Sequence, residues 1–182
     1  TLRHSFFQVG TIITTTGYST ADFDMWPALS QTILVTLMFV GACAGSTGGG
    51  MKVSRYIIYF KTLRKELSTL IHPRSVKVIQ CDGKAVDHDT IRSANIYLIA
   101  YIFIYMLSVL LISFDKFDLT TNFTAVAATF NNIGPGLNVV GPTGNFAGFS
   151  MFSKIVLIFD MLAGRLEIFP MLILLAPGTW KK

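Results

Sequence analysis

Ile13-Thr14-Thr15-Thr16-Gly17-Tyr18-Ser19 and Phe130-Asn131-Asn132-Ile133-Gly134-Pro135-Gly136 read as one structure built twice. With Gly17 set on Gly134 the surroundings align as well. Each stretch follows an apolar run too short to span a bilayer and precedes a loop, which leads into a long apolar helix. A polar strip with a central glycine, between a half-helix and a full helix, is the layout of a backbone-carbonyl ion filter. A cation stripped of water needs oxygen ligands at little net cost. An extended chain supplies them when its carbonyls point one way, and glycine is the residue that tolerates the dihedrals this requires. Thr14, Thr15, Thr16 and Gly17 offer carbonyls in one unit, and Asn131, Asn132, Ile133 and Gly134 in the other. The expected K+ positions are at Thr15, Thr16, Asn132 and Ile133. The half-helices end at these strips, and their carbonyl ends favour a cation there.

Composition agrees with a membrane setting. The chain is 52% hydrophobic and 14% charged, with mean hydropathy +0.56, too apolar for an ordinary soluble domain. The net charge of +5 reads as topology rather than nucleic-acid binding. Cys43 and Cys81 lie in unlike contexts, so no disulfide is expected, and His4, His72 and His88 are too scattered for a metal site. There is no Ser/His/Asp or Cys/His arrangement and no carboxylate pair with acid–base logic, so no enzyme is expected. The chain reads as opening mid-structure at Thr1, with more of the protein expected before it.

Outward from the two strips, the fold class expected is all-α integral membrane. Residues 5–13 read as a half-helix and 29–44 as an apolar helix. That helix breaks at Gly45-Ser46-Thr47-Gly48-Gly49-Gly50, because adjacent glycines each cost a helix about 1 kcal/mol. Irregular backbone at membrane depth is tolerated where it is buried in protein or lines a wet cavity. Residues 51–63 resume the helix, and 64–92 form a basic connector with a hairpin over 76–86 turning at Asp82-Gly83. Spanning helices are expected over 93–114 and 152–176, with the second half-helix at 123–130. Three parts follow: 1–63, the half-helix, filter and broken inner helix of one repeat; 64–92, the connector; and 93–182, a complete further repeat. Basic residues crowd 52–92 and the C-terminus, while Asp22, Asp24, Asp115 and Asp118 lie beside the strips. The connector and C-terminus are therefore expected in the cytoplasm, with both filters opening outward.

Two further features carry chemistry. The glycine run with Lys52 lacks the Gly-Lys-Ser/Thr order of a phosphate-binding loop, since Met51 precedes and Val53 follows the lysine. It reads either as a movable loop or as glycines that permit close helix packing. Arg165 lies inside the last helix with Asp160 and Glu167, where a charge costs about 2.5–3.5 kcal/mol on insertion scales and so faces water or protein. Arg165 is then either a barrier in the pore or one half of a buried ion pair.

Thr14 to Tyr18, Gly41 to Lys52, Leu70-Ile71-His72-Pro73-Arg74, Asn131 to Gly136 and Gly164-Arg165-Leu166-Glu167-Ile168-Phe169 together resemble the TrkH/TrkG/KtrB superfamily of bacterial potassium transporters. The resemblance covers essentially the whole chain. It implies potassium-channel-type helix–half-helix–filter–helix units, four to a polypeptide, of which this chain is similar to the last one and a half to two. It also implies that Gly45, Ser46, Thr47, Gly48, Gly49, Gly50 and Lys52 form an intramembrane gating loop, and that Arg165 sits just below the filter. The further implications are K+ as transported ion with no covalent cofactor, a homodimer in membrane lipid, and a cytosolic nucleotide-binding, TrkA-like regulatory ring. The place is the bacterial inner membrane. A less selective or Na+-coupled cation transporter, and a non-conducting membrane scaffold, are the alternatives.

Overall fold

The computed structural model describes the chain except Thr1, Ala44, Thr47, residues 74–77, Asp82, Glu167, residues 176–178 and residues 180–182. Its described residues form α1 (Leu2–Ile13), α2 (Ala28–Phe39), α3 (Val53–Ile71), a hairpin of β1 (Gln80–Cys81) and β2 (Lys84–Ala85), α4 (His88–Ile112), α5 (Leu119–Phe130), α6 (Met151–Leu166) and α7 (Ile168–Leu175). Short 3-10 turns lie at Phe23–Met25 and Asn138–Val140. The architecture is helical. Of the described helices, α4 is long and apolar enough to cross a membrane.

α5 is the centre. Its N-cap Asp118 accepts from the Thr121 amide at 3.1 Å and from the Thr121 hydroxyl, satisfying donors that a helix start leaves open. Thr121, Asn122 and every residue of 124–130 are buried. α4, α6 and α2 pack around it. From α4, Tyr97, Tyr101 and Tyr105 recur every four residues on one helix face; Tyr101 and Tyr105 both pack on Phe130, and Tyr105 also meets Phe123. α1, the matching half-helix, packs on α2 and buries only Gln8, Thr11 and Ile12. The two copies thus share a shape but not a setting.

Several elements run differently from the sequence reading. α3 continues to Ile71 through Arg64, Lys65 and Glu66, so the basic connector begins inside a helix. α4 starts at His88, with a polar first turn that hydropathy assigns to the connector. The last apolar stretch is helical on both sides of Glu167, which lies outside the described residues: α6 reaches Leu166 and α7 runs from Ile168 to Leu175. The hairpin pairs Gln80 with Ala85 and Cys81 with Lys84, and the Val86 amide extends it to the Ile79 carbonyl at 2.8 Å. Gly83, at φ +75°, takes the turn, while Asp82 and residues 76–77 of the expected hairpin lie outside the described residues. The expected break after α2 is present and begins earlier than Gly45, for α2 ends at Phe39 and the described residues of 40–52 carry no helix. A bridge between Val40 and Met51 closes the loop's neck, with Gly41 N donating to Met51 O at 2.9 Å and Val53 N to Ala42 O at 3.2 Å.

Candidate cation filter and the loop beneath it

The two polar strips fold by the same local rule. After α1, the amides of Thr14, Thr15, Thr16 and Gly17 donate to Gly10, Ile12, Thr11 and Thr11, at 3.0, 3.1, 2.9 and 3.4 Å. After α5, those of Asn131, Asn132, Ile133 and Gly134 donate to Ala127, Thr129, Ala128 and Ala128, at 3.1, 3.0, 2.8 and 3.4 Å. The offsets match one for one. The dihedrals match too: Thr15 and Asn132 have φ 54° and 55°, Gly17 and Gly134 have φ 80° and 111°, and the residues between them are not left-handed. Such alternation turns successive carbonyls toward one side. Even the first side chains correspond, since Thr14 Oγ1 and Asn131 Nδ2 donate to the carbonyls four residues back, at 2.7 and 2.9 Å.

The strips also meet. A Cβ on Gly17 would lie 2.0 Å from the Ile133 carbonyl oxygen. Thr15, Thr16, Asn132, Ile133 and Gly134 line one cavity of about 540 Å³. Behind the second strip, the Tyr101 hydroxyl donates to Asn131 Oδ1 at 2.8 Å, and Asn132 Nδ2 donates to Met161 O of α6 at 3.1 Å. Tyr101 escaped the sequence reading, although the four-residue spacing of tyrosines on α4 was there to be seen.

The glycine run lies against these strips. A Cβ on Gly48 would come 3.5 Å from Thr15 Oγ1, one on Gly49 would come 2.4 Å from Asn131 O, and one on Gly50 would come 2.7 Å from Asn131 Oδ1. No side chain fits at Gly49 or Gly50 without moving the second strip. Gly49 and Gly50 therefore permit a close approach to the second strip. Lys52 is buried, and its Nζ donates to Ser46 O at 2.9 Å and Gly48 O at 2.6 Å. Gly45 faces open space at φ +82°, and Thr47 lies outside the described residues.

Arg165 is exposed and bonds to none of the described residues. The alternative reading, a buried ion pair, does not form with Asp160, which is fully buried and accepts from Ser108 Oγ of α4 at 2.7 Å. Glu167 lies outside the described residues. The neighbour of Arg165, Gly164, abuts the second strip, with a Cβ position 1.7 Å from Phe130 O.

The acidic residues tie the two units together at the far end. Asp24 Oδ1 accepts from the Asn138 amide at 2.9 Å, and Asn138 Nδ2 donates to Asp118 Oδ2 at 2.8 Å. Burial pushes the Asp24 carboxyl up from the usual carboxylate range, against the pull of the Asn138 amide. The Thr121 hydroxyl and amide, with Asn138, hold Asp118 below that range. The Ser150 amide does the same for Asp115. Asn138, left-handed at φ 55°, was not singled out by sequence, because its partner Asp24 stands far away in the chain.

Residues 1–181 match the protein family described as TrkH, cation transport protein. The chain is 39% identical over its whole length to the Trk system potassium uptake protein TrkH of Salmonella typhimurium, and 41% identical over 96% of its length to that of Vibrio parahaemolyticus. It covers 37% and 36% of those proteins, so it spans little over a third of their length. The crystal structure of the potassium transporter TrkH from Vibrio parahaemolyticus superposes with a TM-score of 0.86 at 40% identity, over 98% of this chain and 38% of that one. By sequence and by fold, the chain belongs to the TrkH family of cation transport proteins.

Proposed function

We propose that this chain is part of the pore-forming subunit of a potassium uptake system, with Thr14–Gly17 and Asn131–Gly134 as two walls of its selectivity filter. The observation that carries the reading is the duplicated hydrogen-bond and dihedral pattern. A helix end alone accounts for the left-handed Thr15 and Asn132 and their bonds; the second left-handed residue in each strip, Gly17 and Gly134, its further bond to the helix, and the common cavity go beyond capping. K+ sits at the carbonyls of Thr15, Thr16, Asn132 and Ile133, and the relatives' name supplies the ion. Conduction is passive and needs no covalent chemistry. Gly45 to Gly50 with Lys52 form the gate, and Arg165, on the helix whose Gly164 underlies the second strip, raises an electrostatic barrier to cations leaving the filter.

The filter opens outward beside Asp24 and Asp118, and α3, the hairpin and the C-terminus lie on the cytoplasmic side of the bacterial inner membrane. The full polypeptide forms a homodimer and binds a cytosolic nucleotide-binding ring, as the family resemblance implies. The test is rubidium uptake into vesicles carrying the full native polypeptide, with potassium or sodium as competitor. Block by potassium and little by sodium supports the filter. Equal block by both ions points to a less selective cation path, and no uptake to a membrane scaffold.

A further inference from the structure

Lys52 is an unusual place for a buried charge. It caps the N-terminus of α3, where the helix dipole opposes a cation. Among the described residues no carboxylate reaches it, and its ammonium is met by the carbonyls of Ser46 and Gly48. Carbonyl oxygens gathered on a monovalent cation are also the ligand chemistry of a potassium filter. One of the two, Gly48, belongs to the segment that abuts Thr15, while Gly49 and Gly50 abut Asn131. The loop has room to leave: a cavity of about 330 Å³ opens beside Gly45, Lys52, Ser54 and Arg55.

We propose that Lys52 is the latch of this loop: its ammonium acts as a tethered surrogate cation in a site of loop carbonyls and so holds Gly48–Gly50 against the inner ends of both filter strips. The latch rests on the gating-loop reading above, but it makes a claim about the loop that can be checked without ion flux. Neutralising the ammonium while keeping the stem's bulk removes the anchor and leaves the fold's packing alone. A guanidinium at the same place can still donate to carbonyls.

The experiment compares the full native polypeptide with Lys52→Met and Lys52→Arg, all purified in detergent and in vesicles. Amide hydrogen exchange over residues 41–53 reads the hold on the loop, and rubidium flux reads the gate. The expected result is exchange about tenfold faster in Lys52→Met, the factor that goes with about 1.4 kcal/mol, with exchange in α5 unchanged. Unstimulated flux rises by a similar factor, and Lys52→Arg restores most of both. Unchanged exchange over 41–53 in Lys52→Met overturns the latch, whatever the flux does. Faster exchange with unchanged flux in a conducting protein overturns its control of conduction. Faster exchange in a protein that conducts in neither form upholds the latch and sinks the pore reading.

Discussion

Gly17→Ala and Gly134→Ala are matched substitutions in matched strips, and the structure makes them unequal. At Gly17 the added Cβ lies 2.0 Å from the Ile133 carbonyl oxygen, where ordinary contact begins near 3.4 Å. More than an ångström must open up, and the atom that gives way is a proposed potassium ligand in the other unit. The left-handed backbone at φ +80° adds a further strain of about 1–2 kcal/mol. At Gly134 the Cβ meets nothing within 4 Å, although φ is +111°. The cost there is backbone strain alone, about 1–3 kcal/mol, with no neighbour displaced. Both variants therefore lose stability, but Gly17→Ala also displaces a ligand across the cavity. Since about 1.4 kcal/mol is tenfold in an equilibrium constant, potassium-over-sodium discrimination is expected to fall at least about tenfold in Gly17→Ala and clearly less in Gly134→Ala. The assay is rubidium uptake with graded potassium or sodium, beside thermal unfolding in detergent to confirm that each variant is folded. Discrimination preserved in a folded Gly17→Ala protein would refute the assignment of the Ile133 carbonyl as an ion ligand. Equal losses in the two variants would refute the argument from contact.

Arg165→Ala is expected to raise rubidium flux or to change its voltage dependence. Because Arg165 is exposed and bonds to none of the described residues, stability should stay within about 0.5 kcal/mol of the parent; unchanged flux in the folded variant argues against a pore position. Tyr101→Phe removes the donor to the buried Asn131 Oδ1, an expected loss of about 1–3 kcal/mol, measured as a lower unfolding temperature with weakened ion discrimination. Asp118→Ala removes the α5 cap, at about 1 kcal/mol. The Asp118 carboxyl is held below its usual value, chiefly by the Thr121 hydroxyl, so its contribution is present above about pH 4 and is lost as pH falls through the lowered value. Unfolding temperatures of parent and variant should differ at pH 7 and converge toward pH 2; a constant gap contradicts the assignment.

What the residues disclosed and what they withheld divide by distance along the chain. The hydrogen bonds of the two strips reach back at most six residues, and a half-helix followed by a polar strip with glycine encodes them locally, so the likeness of the two strips was legible. The break between α2 and α3 was legible for the same reason. Helix ends were less so, because Arg64, Lys65 and Glu66 are good helix formers whose polarity reads as connector. The long-range links were invisible: Asn138 to Asp24 spans 114 residues, and Ser108 to Asp160 spans 52. Lys52 is the instructive case. Its bonds to Ser46 and Gly48 are short in sequence, yet nothing in a glycine run fixes which carbonyls converge, because glycine leaves that choice to the surroundings. Those surroundings are the two strips themselves. Asn131 shapes Gly49 and Gly50, Thr15 faces Gly48, and the carbonyls left over are the ones the ammonium finds. A strip built locally can thus shape the loop beneath it, so a change at Thr15 or Asn131 is expected to reach Lys52 through Gly48–Gly50, just as a change at Asn131 or Asn132 reaches α4 and α6 through Tyr101 and Met161.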